Sequence, residues 1–138
     1  MRLISSLLAL ATLATLAACS DKIVTPSMVD VAGSYHATMF TTSDNTGTTD
    51  QLARGATFVI VLAVNGTTTG RLFVPGAGSG GSDFDADLTG TWTLNGATVE
   101  FAQDADTFVR DVAFVADHSR LTAEQAFSGV TIGVVLTK

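Results

Sequence analysis

The fold is decided by residues 89–138, which read TGTWTLNGATVEFAQDADTFVRDVAFVADHSRLTAEQAFSGVTIGVVLTK. Polar and apolar residues alternate around Trp92 and again over residues 130–136, which is the period of a strand with one buried face. Asn95-Gly96 favours the positive φ angles of a two-residue hairpin turn, and Asp117-His118 and Ser128-Gly129 are further turn signals. The stretch therefore predicts strands at 91–94, 97–103, 107–116, 119–127 and 130–136.

The residues before this stretch add three strands, at 33–42, 56–64 and 67–74, with a polar loop at 41–50. Asn65-Gly66 supplies another hairpin signal, and residues 83–87 lead into the Trp92 strand. Short strands in sequential order, with no convincing helix after residue 18, predict an all-β domain. We expect a single eight-stranded antiparallel up-and-down barrel, because closure removes the edges of the sheet. A β-sandwich is the alternative.

Alternation along these strands sorts the apolar residues into an inner and an outer set. Val59 and Val61 fall on the outer face, and apolar residues there suggest a surface that something covers. The large side chains predicted to fill the barrel are Tyr35, Met39, Phe58, Trp92, Phe101, Phe108, Phe114 and Phe127.

Gly90-Thr91-Trp92 and Gly33-Ser34-Tyr35 resemble the Gly-x-aromatic strand openings of lipocalin-like proteins. The resemblance implies a lipocalin-like or calycin-like barrel that can hold one small ligand. It departs from the true lipocalins, because the Gly-x-Trp motif opens the fourth predicted strand and no C-terminal helix follows. The resemblance is therefore to the architecture and not to the classical family.

The N-terminus has the layout of a secretory signal peptide, with Arg2 followed by an uncharged apolar run to residue 18. The run ends in Leu16-Ala17-Ala18-Cys19, which resembles the lipobox of bacterial lipoproteins. That resemblance implies acylation of Cys19, cleavage just before it and, with Ser20 next, transfer to the outer membrane. The alternative is an ordinary cleaved signal with a chance cysteine. The expected organisation is a signal peptide at 1–18, a polar tether at 19–31 and a β-barrel at 32–138.

Composition excludes several function classes. The formal net charge is −6, which argues against nucleic acid as a partner, since nucleic-acid binding requires a basic footprint. Cys19 is the only cysteine, so the chain makes no internal disulfide. We expect a membrane-anchored protein of the cell envelope that faces the periplasm, with no cofactor.

No catalytic constellation stands out in the sequence. Asp117-His118-Ser119 contains the residue types of a hydrolase triad, but neighbours in one turn cannot converge as a triad must. Asp83, Asp85 and Asp87 begin like a calcium-binding EF-hand loop, yet Leu88 stands where that loop needs glycine. We therefore expect no enzyme, and the three aspartates are only weak candidates for an irregular metal site.

Arg110 and Gln125 are the polar residues predicted on the inner face of the barrel. A buried arginine needs a partner, so Arg110 could anchor a bound ligand. Alternatively, it sits near the barrel mouth and snorkels to water. The candidate ligand-binding residues are Arg110, Gln125, Trp92 and Tyr35.

Connection lengths orient the predicted barrel. The tight turns and the Cys19 anchor fall at one end, and both long loops fall at the other, where binding usually occurs. Six acids, Asp44, Asp50, Asp83, Asp85, Asp104 and Asp106, should make the long-loop end negative and attract cations. We expect a module that binds a small apolar or amphipathic ligand. The alternative is a structural or protein-interaction lipoprotein with a filled core.

Lipidation gives the first test. Several acyl chains should hold the protein on the membrane, since each buried CH₂ contributes about 0.8 kcal/mol and one chain alone is marginal. Labelled palmitate should enter the wild type and not the Cys19→Ala variant, as measured by autoradiography of the purified chains. Equal labelling of the two would mean that Cys19 is not acylated.

Overall fold

The computed structural model describes residues 24–138, so the predicted signal peptide and Cys19 lie outside the described residues. Residues 24–138 form ten strands, two four-residue α-helical turns and one 3₁₀ turn, Ser79–Gly81. The strands are β1 (Gly33–Asp44), β2 (Gly47–Asp50), β3 (Thr57–Leu62), β4 (Thr67–Val74), β5 (Phe84–Asp87), β6 (Gly90–Asn95), β7 (Thr98–Gln103), β8 (Phe114–Asp117), β9 (Arg120–Phe127) and β10 (Val130–Thr137). The helical turns are α1 (Met28–Val31) and α2 (Phe108–Asp111).

Eight of the strands form a closed barrel. Their order is β1-β3-β4-β6-β7-β8-β9-β10, each pair is antiparallel, and β10 pairs back onto β1. The two short strands are additions outside this ring, because β2 pairs with β1 and β5 pairs with β4. The predicted eight-stranded up-and-down barrel is confirmed, and the sandwich alternative is wrong.

The pairing of β1 with β10 contains a β-bulge. Ala37 lies opposite Leu136 and Met39 lies opposite Val135, so Thr38 is an extra residue on β1. The extra residue reverses the alternation, as bulges do. Phe40 is therefore buried and Met39 is 40% exposed, which corrects the prediction that Met39 fills the core.

The predicted tight turns are present, but only Ser128-Gly129 has the predicted bounds. β3 ends at Leu62 and β4 begins at Thr67, so Asn65-Gly66 lies in a longer turn, in which the N–H of Gly66 donates to the carbonyl of Ala63 at 3.0 Å. β6 runs through Asn95 and β8 through Asp117, so the other two turns are shifted by one residue, to Gly96-Ala97 and His118-Ser119. Ser128-Gly129 is the predicted two-residue turn, with φ of 48° and 88°. The Gly-Thr-Trp motif begins with glycine for a steric reason. A Cβ at Gly90 would lie 2.2 Å from the backbone oxygen of Ala102, so no side chain fits there.

Residues 107–116 do not form the single strand that the sequence predicted. Thr107 is the N-cap of α2, and the chain becomes extended again only at Val112 before β8 begins. Phe108 and Phe114 still reach the interior, but the helical turn places Arg110 outside. The apolar spacing of this segment fits both conformations, and for that reason alternation alone misplaced Arg110.

The predicted loop at 41–50 also differs from the structure. β1 continues to Asp44 and turns back as β2, because Asp44 Oδ1 accepts hydrogen bonds from the backbone N–H and hydroxyl of Thr46, at 2.8 and 2.6 Å. These bonds lower the pKa of Asp44. A polar hairpin therefore extends beyond the barrel at the long-loop end.

The opposite, tight-turn end is filled and covered. Trp92 is 2% exposed, and its Nε1 donates to the carbonyl of Ala63 at 2.8 Å. Tyr35 is buried beside α1 and donates its hydroxyl to the carbonyl of Val31 at 2.6 Å, and burial raises the pKa of Tyr35 to about 12. Val31 is itself buried, so the folded unit includes residues that the sequence assigned to the tether.

Trp92 tests this packing. Trp92→Ala should lower the free energy of unfolding by about 3–5 kcal/mol, because it removes a large core side chain and leaves a cavity. The matched control is Val115→Ala on the outer face, where Val115 is 57% exposed and where we expect a change within about 0.5 kcal/mol. Urea melts measure both values. If the two variants lost the same free energy of unfolding, the burial of Trp92 would be contradicted.

Candidate functional site

The long-loop end of the barrel holds a cavity of about 410 Å³. It opens between the β1–β2 hairpin, the loop after β4 and the turn before α2. Its volume lies within the range of small-molecule sites, about 300–1,000 Å³. The lining residues are Phe40, Thr42, Gln51, Arg54, Leu72, Val74, Pro75, Gly76, Ala77, Phe84, Asp106, Thr107, Phe108 and Ile132.

Aromatic rings separate the cavity from the filled interior. The ring of Phe108 on α2 lies 5.6 Å from that of Phe40 and 6.0 Å from that of Phe58, the latter edge to face. Phe58 belongs to the core and is 1% exposed, whereas Phe40 and Phe108 also line the cavity. The three rings thus form the boundary between core and site.

Some polar side chains on the cavity wall have hydrogen-bond partners in the protein, and one does not. Gln51 is buried, and its Nε2 donates to the hydroxyl of Thr42 at 2.7 Å. Thr107 is 4% exposed, yet its Oγ1 has no hydrogen-bond partner within residues 24–138. A buried polar group without a partner is costly. The hydroxyl of Thr107 is therefore a buried, unpartnered polar group in a residue that lines the cavity.

Two arginines near the cavity differ in their partners. Arg110 binds Asp106 at 2.6 Å and Asp111 at 3.3 Å, and these carboxylates raise its pKa. Arg54 lines the cavity and is exposed, and it forms no ion pair with any side chain of the described chain. Among the described residues, Arg54 is therefore a cation at this site without an ion-pair partner, whereas Arg110 has two.

The predicted ligand-binding residues do not come together. Trp92 and Tyr35 are buried at the tight-turn end, and their positions in the strand pairing place them at the end of the barrel opposite the cavity. Gln125 is exposed, although its partner across the β9–β10 ladder, Ile132, lines the cavity. Arg110 is exposed and ion-paired, so its predicted inward position is wrong. Ligand binding by these four residues stays a prediction.

The acids of the long-loop end mostly hold the loops together. Asp83 accepts a hydrogen bond from the backbone N–H of Gly76 at 3.0 Å, and Asp85 pairs with Arg71, whose Nε donates at 2.7 Å. The bond and charge of Arg71 lower the pKa of Asp85. Over residues 24–138, no three His, Cys, Asp or Glu side chains are placed to hold a metal ion. The structure thus assembles no metal site from Asp83, Asp85 and Asp87.

A second cavity, of about 580 Å³, lies at the tight-turn end. The chain before α1 forms one wall of it, and the turns around Ala97 and His118 form the other. Of its lining residues only Ala116 is buried, and the His118 side chain is 91% exposed. None of the helices in residues 24–138 has the length and apolar character needed to cross a membrane.

Sequence reasoning missed the residues that line the cavity with polar groups. Arg54 lies in a turn after β2, and Gln51 directly follows the predicted loop at 41–50. Thr107 had a usable signal, because a threonine after Asp104-Ala105-Asp106 and before an apolar pair can be a helix N-cap. The strand alternation of the following residues outweighed that signal.

Comparison of the chain with protein-family models, with curated proteins and with solved structures gave no match. The closed eight-stranded barrel is consistent with a lipocalin-like fold.

Two threonines provide a matched test of the unpartnered hydroxyl. Thr107→Val should leave the free energy of unfolding unchanged or raise it by about 1 kcal/mol, because the variant removes a buried, unpaired oxygen. Thr68 is equally buried, but its hydroxyl donates to the carbonyl of Leu88 at 3.1 Å and accepts from Gln103 Nε2 at 2.9 Å.

Thr68→Val should therefore cost about 1–3 kcal/mol, since it orphans its partners. Urea denaturation of both variants measures the difference. A loss at Thr107 as large as that at Thr68 would show that the Thr107 hydroxyl is already satisfied.

Proposed function

We propose that this protein is a lipid-anchored binding module of the cell envelope that takes a small apolar or amphipathic ligand into the cavity at the long-loop end. Cys19 would be its lipid attachment site, in the outer membrane and facing the periplasm, as the lipobox resemblance implies. The proposed role is binding and not catalysis. The single observation that carries the proposal is an apolar, ring-lined cavity of about 410 Å³ above a filled barrel.

The packing of the interior limits how a ligand could bind. An eight-stranded barrel is just wide enough to be filled by side chains or to hold one small ligand. Here Phe58, Ile60, Phe114 and Leu121 are all at most 1% exposed and fill the centre. A ligand would therefore bind at the mouth, with part of its surface covered by the loops, and would not lie deep inside the barrel.

A structural or protein-interaction role is the second candidate, and one observation favours it. Val59 and Val61 are 42% and 39% exposed on the outer face of β3, as the sequence predicted. Their neighbours across the ladders are polar: His36 and Arg71 beside Val59, and Ser34 and Thr69 beside Val61. The apolar patch is thus narrow, and single exposed valines are common on protein surfaces.

The test is mass spectrometry of small molecules that co-purify with the full chain extracted from its host membranes. Ala77 lines the cavity and is exposed, so Ala77→Trp should fill the cavity without disturbing the core. The matched control is Ala53→Trp, an exposed alanine of the same end that does not line the cavity.

The wild type and Ala53→Trp should retain a small molecule that Ala77→Trp loses. If all three chains carry the same small molecules in the same amounts, the cavity is not a binding site. The filled-core structural role would then be the better account.

A further inference from the structure

The charged side chains around the cavity differ in whether they have an ion-pair partner. Asp106 is the carboxylate that lines it, and Arg110 already neutralises Asp106 at 2.6 Å. Arg71, further along β4, is likewise paired with Asp85. Arg110 is shared between Asp106 and Asp111. Arg54 has no ion-pair partner within the described residues, so it is the cation at the rim of the cavity that is left for a ligand. An anion is the ligand group that would compensate it.

The wall of the cavity adds a second, independent requirement. Thr107 lines the cavity, is only 4% exposed and has an unpartnered hydroxyl. The remaining wall is largely apolar and includes Leu72, Val74, Phe84 and Ile132. A ligand that satisfies all of these groups has an apolar body and a polar head with hydrogen-bonding oxygens.

We infer that the cavity binds a single-chain amphipathic anion, whose alkyl body packs on Phe40 and Phe108 and whose acid group meets Arg54. The hydroxyl of Thr107 supplies a hydrogen bond to the same ligand. This inference rests on the proposed function, which it narrows to one ligand class. A carboxylate and a phosphate monoester share the required chemistry, since Arg can contact two oxygens of either group.

This ligand class differs from the prediction made from the acidic loops, which favoured a cation. Three of these acids already have local partners. Asp44 and Asp83 accept hydrogen bonds from backbone N–H groups, and Asp85 forms an ion pair with Arg71. Their charge is spread over exposed loops, where salt screens it beyond about 8 Å at physiological ionic strength. The charged residues that line the cavity itself are Arg54 and Asp106, and Asp106 is already paired with Arg110.

The experiment uses the full chain in phospholipid nanodiscs and four photoreactive alkyl probes of equal chain length. Their head groups are a carboxylate, a phosphate, an alcohol and a trimethylammonium. Mass spectrometry after irradiation gives the labelled fraction at each probe concentration and the labelled peptide. Ala77→Trp, with its filled cavity, supplies the background labelling that comes from lipid-dissolved probe.

Three variants isolate the charge and the hydroxyl. Arg54→Gln removes the unpaired cation, and Arg120→Gln makes the same change on an exposed arginine that lies at the start of β9, at the opposite end. Thr107→Val removes the hydroxyl at nearly constant shape.

The wild type and Arg120→Gln should label the peptides of β1 and α2 with the anionic probes at concentrations roughly tenfold lower than with the alcohol, since 1.4 kcal/mol corresponds to a factor of ten. Arg54→Gln should lose this preference for the anionic probes but should still be labelled by the alcohol probe. Thr107→Val should weaken labelling several-fold. A higher phosphate than carboxylate affinity, or the reverse, identifies which anion is the natural head group.

The inference is overturned if the alcohol or the trimethylammonium probe labels the wild type as efficiently as the anions, or if Arg54→Gln keeps the anion preference. In that case cavity labelling by the alcohol still supports the proposed function. If no probe labels the cavity peptides above the Ala77→Trp background, the inference and the proposed function both fail.

Discussion

The pairing of β10 with β1 is the constraint on which the rest of the structure depends. It joins the last strand to the first through seven residue pairs, from His36–Thr137 to Ser43–Thr131. Closure removes the sheet edges, which would otherwise expose unpaired backbone groups. It also fixes the strand number and therefore the interior width. The bulge at Thr38 lies within this seam, and it decides that Phe40, and not Met39, reaches the boundary of the cavity.

The two ends of the barrel are unlike because the connections differ. At the tight-turn end, α1 covers Tyr35, and Lys138 lies 5.5 Å from the centre of the Tyr35 ring. At the other end, the chain after β7 makes a helical turn, so that Phe108 packs across the mouth against Phe40. The cavity lies where residues 107–116 are interrupted by α2, since Thr107 and Phe108 both line it.

The sequence was informative where one rule acted alone. Alternation and turn pairs predicted the barrel, the burial of Trp92 and the outward Val59, because each strand has one buried face. Prediction failed where two rules competed. The bulge on β1 has no signature in the residues around Thr38, and α2 shares its apolar spacing with a strand. The polar residues of the cavity were missed for the same reason, since Thr107 and Arg54 lie in turns, which the alternation of strands does not predict.

Net charge and local charge lead to opposite expectations for the ligand, and their magnitudes decide between them. Two unit charges at 4 Å interact by about 4 kcal/mol at an effective dielectric constant of 20, but by about 1 kcal/mol in bulk water. Arg54 is exposed at the rim but lines the largely apolar cavity, so its interaction with an acid in the proposed site would fall between these two values. The exposed aspartates act through solvent and salt, and several are already engaged by Thr46, Gly76 or Arg71. A net charge of −6 therefore does not by itself argue against an anionic ligand, since exposed charges more than about 8 Å away are largely screened at physiological ionic strength.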